Sequence, residues 1–281
     1  MKKLILIAFL FCAFSVKAQQ NLVPNPSFED SLSCPEVFSE INKCSDWFNG
    51  KNLTSADYYH TCSNHWSQQA TIPQNVVGYQ NPLSGNAYSG IFLETIDLFT
   101  NQLYREFLEV KLIEPLTNEK TYKITFYYSL AETYSSMLIT NMGVFFSSDS
   151  IASSYLNNGI VDTNTITTID YANWHEFSVE YVANGAEKYL LIGNFNDSIN
   201  TNRIINPQHQ NSHTANRICY IYIDDVSVID INSTGITSLN AQDKQLLKIV
   251  DVLGKESQPK KNTPLFYIYS DGTVEKKIFI E

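Results

Sequence analysis

Asp57, Tyr58, Tyr59, His60 and Trp66 fall within ten residues of one another, so a carboxylate, an imidazole and three flat rings share one short run. Aromatic faces stack on apolar C–H surfaces, while carboxylates and amides pair with hydroxyls, so this run has the chemistry to contact a glycan. Tyr104, Arg105 and Glu106 form a second set with a ring, a cation and an acid. The expected ligand contacts are Asp57, Tyr58, Tyr59, Trp66, Tyr104 and Arg105. Trp47 and Trp174 are expected in the core, where a sandwich needs large side chains between its sheets.

Catalytic signatures are absent. No G-x-S-x-G elbow, H-E-x-x-H pair or phosphate-cradling glycine loop occurs. Glu94 and Asp97 could pair as the carboxylates of a glycosidase, as could many other acids in the chain. His209 and His213 stand four residues apart, a metal-binding spacing on a helix, but QHQNSHTAN lacks a helical apolar face and reads as a loop. A noncatalytic protein is the leading expectation, with a secreted hydrolase as the alternative.

Cys34, Cys44, Cys62 and Cys219 follow a hydrophobic leader, and an even number of cysteines in an exported chain points to disulfides. Three pairings are open. Zinc is the alternative, because His60 and His65 flank Cys62, although a Cys-x-x-Cys pair is missing.

The elements that must hold these residues are strands. Residues 120–130, 142–148, 174–183, 187–195 and 219–230 are short apolar or alternating runs broken by turn residues, which predicts a single β-sandwich or jelly roll over 19–230. Segments 45–90 and 197–216 are rich in Asn, Ser, Gly and Pro and are expected to be functional loops. The chain has 19 Lys and Arg against 29 Asp and Glu, for a formal charge of −10. No basic run is present, which argues against a nucleic-acid partner.

NLVPNPSFED at 21–30 and IYIDDVSV at 221–228 resemble the opening and closing strands of galactose-binding-like, carbohydrate-binding-module jelly rolls. The resemblance implies a structural calcium where the first and last strands meet, with Glu29, Asp224 and Asp225 at the matching positions; calcium takes several hard oxygen ligands. DYYHTC, GYQ, SGNAYSG, YREFLEV and the strand at 120–130 resemble a Bacteroidetes surface domain.

The chain ends read as addresses. Residues 1–18, with Lys2 and Lys3 before an apolar run and Val16-Lys17-Ala18 at its close, read as a signal peptide. Its removal takes three lysines and no acid, moving the formal charge from −10 to −13. No later segment is long and apolar enough to span a membrane as a helix. Residues 231–245 read as a linker, and 246–258, 264–272 and 273–281 as three strands. Gly254, Asp271, Gly272, Lys276 and Lys277 give this end a resemblance to a shortened type IX secretion C-terminal sorting domain, without its usual opening Pro-Asn-Pro strand. The resemblance implies passage through the type IX machinery to the cell surface or the medium. Three Asp-Ser-Leu or Asp-Ser-Ile triplets, at 30–32, 149–151 and 197–199, resemble Bacteroidetes O-glycosylation sites. Together these features suggest an exported all-β protein that binds carbohydrate or, alternatively, an envelope protein partner.

Overall fold

The computed structural model describes residues 19–50, 54–96, 102–150, 159–206, 209, 217–233, 246–252, 254–260, 262–269 and 274–277. The signal peptide, most of the linker, Asp97, His213, Asp271 and Gly272 lie outside the described residues. The chain divides into two units, Met1–Ser233 and Thr234–Glu281.

The first unit contains strands β1 (Trp47–Asn49), β2 (Asp57–His60), β3 (Ala87–Ile96), β4 (Leu103–Tyr104), β5 (Phe107–Lys111) and β6 (Thr121–Leu130). There follow β7 (Met137–Ile139), β8 (Gly143–Ser147), β9 (Ile160–Val161), β10 (His175–Val182), β11 (Tyr189–Gly193), β12 (Arg203–Ile205) and β13 (Cys219–Asp230). One antiparallel sheet has the order β1-β5-β11-β8-β9 and the other β10-β6-β13-β3-β2, with β4 added to β3. Strands β7 and β12 form a separate pair. This is a jelly-roll β-sandwich, as the strand spacing predicts.

Alternation builds the core. In β6, Tyr122, Ile124, Phe126 and Tyr128 point one way and are buried, and they share a cluster with Leu108 and Val110 of β5 and Leu190 and Ile192 of β11. Phe126 stacks on Phe177 of β10 at 4.4 Å between ring centroids. Burying each such side chain contributes about 1.5–3 kcal/mol before conformational entropy is counted. Strand β13 is central and buried from Cys219 to Asp224, so it shows no simple alternation. Ile221 and Ile223 enter the inter-sheet core. Tyr220 and Tyr222 point to the opposite face, where Tyr59, Tyr88, Val77 and Ala131 cover them in a second cluster.

Residues 21–30, expected to form an opening strand, are instead a string of bends and turns. Asn25 and Phe28 have φ of 44° and 62°, which breaks the extended run. The segment still follows the closing strand, because the Leu22 N–H donates to the Val228 carbonyl at 2.9 Å and the Val226 N–H to the Pro26 carbonyl at 2.9 Å. Of the four cysteines, Cys34 and Cys62 are bridged, tying the segment before β1 to the end of β2. Cys44 and Cys219 are free and buried. Burial raises both thiols, that of Cys219 to about 12, so neither is a ready thiolate. The bridge removes Cys62 from the zinc alternative.

In the second unit β14 (Leu246–Val250), β15 (Leu265–Tyr269) and β16 (Val274–Lys277) form one antiparallel sheet. Val250, Leu265 and Tyr267 are its buried residues. Gly254 takes φ +79° in the turn after β14, a conformation that favours glycine. No helix among the described residues is long and apolar enough to cross a membrane.

Candidate ligand cleft

The outer face of the six-stranded sheet carries a cleft of about 280 Å³, with Asp57, Glu106, Val77 and Tyr220 as its buried floor. Phe38, Ser39, Ser55, Phe92 and Tyr134 complete its lining. Ser39 is exposed and the other four are half-buried, so the aromatic rings form the rim.

The floor is preorganised by strand register. Asp57 on β2 pairs with Gly90 on β3, and Phe92 on the same strand pairs with Tyr220 on β13. With no side chain at Gly90, the Tyr220 ring lies across β3, and its hydroxyl donates to Asp57 Oδ2 at 2.5 Å. The Tyr59 and Tyr220 hydroxyls stand 2.7 Å apart, extending the chain of bonds. Asp57 Oδ1 accepts the Ser39 N–H at 2.6 Å. Glu106 Oε1 accepts from Ser55 Oγ at 2.7 Å and from the Tyr104 hydroxyl at 2.9 Å, and Oε2 accepts the Phe92 N–H at 2.9 Å.

Two buried carboxylates facing one cleft repel each other. Burial, and then the charge of Glu106, raises the pKa of Asp57. Burial raises that of Glu106 as well, against the opposing pull of its hydrogen bonds from Ser55, Phe92 and Tyr104.

The expected contacts separate by strand face. Asp57 lines the cleft, and Tyr104 stands behind it through its bond to Glu106. Tyr58 and Tyr59 are corrections to the expectation of an exposed aromatic loop: both are 0% exposed because DYYH is a covered strand. Tyr58 donates to the Phe28 carbonyl at 2.9 Å inside the sandwich, and Tyr59 is held among tyrosines on the other face. Arg105 is not among the residues that line the cleft. Its guanidinium donates to Glu94 Oε2 and Thr201 Oγ1, both at 3.0 Å, and to the Asn196 carbonyl. Glu94, considered above as half of an acid pair, is thus an arginine partner. Trp66 is 86% exposed beside His65, with ring centroids 5.4 Å apart. Trp174 caps the tyrosine cluster, its ring 6.0 Å from Tyr88, in place of a seat between the sheets.

No protein-family model and no curated protein matches the chain. Solved structures do. A cleaved adhesin domain of Lys-gingipain from Porphyromonas gingivalis is similar at 14% identity over 73% of this chain and 95% of that one, with a TM-score of 0.35. TmCBM61 in complex with beta-1,4-galactotriose is similar at 12% identity over 75% and 99% of the two chains, TM-score 0.35. The N-terminal modules of endo-1,4-beta-D-xylanase 10B from Clostridium thermocellum, complexed with xylohexaose, are similar at 13% identity over 76% and 29%, TM-score 0.37.

The three acids expected around calcium all grip residues 83–87. Glu29 Oε1 accepts the Asn86 and Ala87 N–H groups at 2.7 and 3.0 Å. Asp224 Oδ2 accepts those of Leu83 and Ser84 at 2.9 and 3.3 Å, and Asp225 accepts from Ser84 Oγ at 2.7 Å. Among the described residues no group of three or more His, Cys, Asp or Glu is arranged to hold a metal ion.

Burial, then the neighbouring Asp225 charge, pushes Asp224 up to about 8. Asp57, Glu106 and Asp224 hold protons more tightly in the folded state than in the unfolded chain. Their stabilising contribution is therefore full below the ordinary carboxylate range and is lost as pH rises through their raised folded values, which for Asp224 is about 8. The melting temperature of the full chain is expected to fall between about pH 5 and pH 9, and Asp224→Asn should flatten that fall. A melting temperature that rises across this range would contradict the assignment.

Proposed function

We propose that the protein is an exported, noncatalytic carbohydrate-binding module that receives a sugar ring in the cleft between Phe92, Tyr134 and the Asp57–Glu106 floor. The observation carrying this reading is the pairing of an aromatic rim with two buried acceptors in one opening of about 280 Å³. That size lies near the lower end for small-molecule sites and suits one or two sugar units. The rings offer stacking faces, and the carboxyl groups offer directional partners for hydroxyls. A binding role is supported over hydrolysis because the oxygens of both acids are already engaged by protein donors. Export to the cell surface or medium through the type IX machinery rests on the leader and the C-terminal strand pattern.

Binding of the full chain to a broad glycan panel tests the reading. Saturable binding to at least one glycan is expected, and Tyr134→Ala should weaken it at least about tenfold, equivalent to ~1.4 kcal/mol. Binding that survives this change would place the ligand elsewhere. The panel is run with calcium and again with a chelator, because Glu29, Asp224 and Asp225 remain the proposed cation ligands. Loss of binding or of melting temperature on chelation would support that role, and no change in either would argue against it.

A second reading, a glycoside hydrolase using Asp57 and Glu106, is favoured by the presence of two raised-pKa acids at one cleft. Release of new reducing ends from a bound glycan, abolished by Glu106→Gln, would establish it in place of simple binding.

A further inference from the structure

We infer that the cleft selects sugars carrying a free, positively charged amine. The inference rests on the proposed carbohydrate site and names the ligand class. Phe38, Phe92 and Tyr134 present three rings around an opening whose floor holds Asp57, Glu106 and the Tyr220 ring, and among the described residues its lining includes no Lys, Arg or His. A neutral sugar would use the rings and the hydrogen-bonding capacity of the acids but would bring no counter-charge to them. An ammonium group satisfies both features at once, because ring faces attract cations and the carboxylates supply the counter-charge.

The same arrangement disfavours uronates and sulfated glycans. Their anions would enter beside two acids with no cationic side chain lining the cleft to meet them.

Proton accounting gives the binding a signature. Burial raises both acids, so the empty cleft retains protons that the unfolded chain would release. An ammonium brought beside them favours their ionised forms. A carboxyl O–H then gives its proton to the buffer, while every covalent bond of the sugar stays intact.

The probes are a glucosamine tetramer and its fully N-acetylated counterpart, which share a backbone and differ at the amine. Titration calorimetry of the full chain at mildly acidic pH, in two buffers of different ionisation enthalpy, reads both affinity and proton release. The free amine should bind at least about tenfold more tightly, with net proton release, and Glu106→Gln should bring the two affinities close together. If Glu106→Gln does not fold, Phe38→Ala at the rim removes one ring of the cation-facing wall and should lower the preference instead.

Equal or tighter binding of the acetylated sugar, with both bindings lost in Tyr134→Ala, would overturn the amine preference and leave the carbohydrate site standing. Tight glucosamine binding that persists in Tyr134→Ala would mean general attraction to an acidic chain and would also overturn it. Failure of both probes and of every panel glycan would remove the amine preference together with the carbohydrate reading.

Discussion

Gly90→Ala should destabilise the full chain by about 3 kcal/mol and abolish ligand binding in the cleft. A Cβ at this position would collide with the Tyr220 hydroxyl and lie 2.8 Å from its ring carbons Cε1 and Cζ. Tyr220 is fully buried, flanked by Phe92 at 4.8 Å and Tyr222 at 5.9 Å between centroids, so it has little room to retreat. Displacing it also takes the hydroxyl donor from Asp57, a residue only 4% exposed. Overpacking and an orphaned buried acceptor each cost about 1–3 kcal/mol, and they share one cause here, so their sum is an upper bound. Thermal or urea unfolding measures the loss, and a melting temperature roughly 6–12 °C lower is expected. An unchanged melting temperature with intact binding would show that Tyr220 does not depend on the open position at Gly90.

The other large effect lies two residues along β3 from Phe92. Glu94→Ala should cost about 3–5 kcal/mol, because it leaves two arginines without their shared carboxylate. Arg203 grips Glu94 through Nε at 2.6 Å and Nη2 at 2.7 Å, and Arg105 reaches it at 3.0 Å. The Glu94 side chain is 1% exposed, and those of Arg105 and Arg203 are 11% and 18% exposed, so water can replace little of what is lost. Burial alone would raise the Glu94 pKa, but the Arg203 and Arg105 bonds together outweigh it and hold the group below its ordinary value. Its contribution is therefore present above the unfolded carboxylate pKa and is lost as pH falls through the lower folded value. Acid unfolding of Glu94→Ala should consequently show a smaller loss of stability below about pH 4 than the parent chain. Equal acid sensitivity would remove the arginine cluster from the account.

These two sites show what the sequence carries and what it does not. The five runs read as strands are strands, β6, β8, β10, β11 and β13, because short apolar or alternating runs bounded by turn residues extend into sheets. DYYH at 57–60 gave no such signal. It is covered on both faces, so Tyr58 and Tyr59 are both buried, and its Ser- and Asn-rich flanks looked like loop. Which tyrosine faces the inter-sheet core follows from register, and a one-residue slip would exchange Tyr58 and Tyr59.

Asp57 was legible as a polar contact and Glu106 as part of a polar triplet. Their meeting across one cleft was not, because it depends on β2 and the segment after β4 both lying against β3. Phe38, Ser55, Phe92 and Tyr134 come from four separate parts of the chain and carried no local mark. A retrospective signal lay in the acids within or beside apolar strands. Glu94, Glu106 and Glu109 are all buried, and a buried acid needs a partner or a purpose.

The most direct measurement is a crystal structure of the full chain soaked with the tightest glycan from the panel. The account predicts a sugar ring in the cleft, its face against Tyr134 or Phe92 and a polar group within hydrogen-bond reach of Asp57 or Glu106. A glycan bound instead at Trp66, or anywhere that leaves this cleft empty, would contradict it.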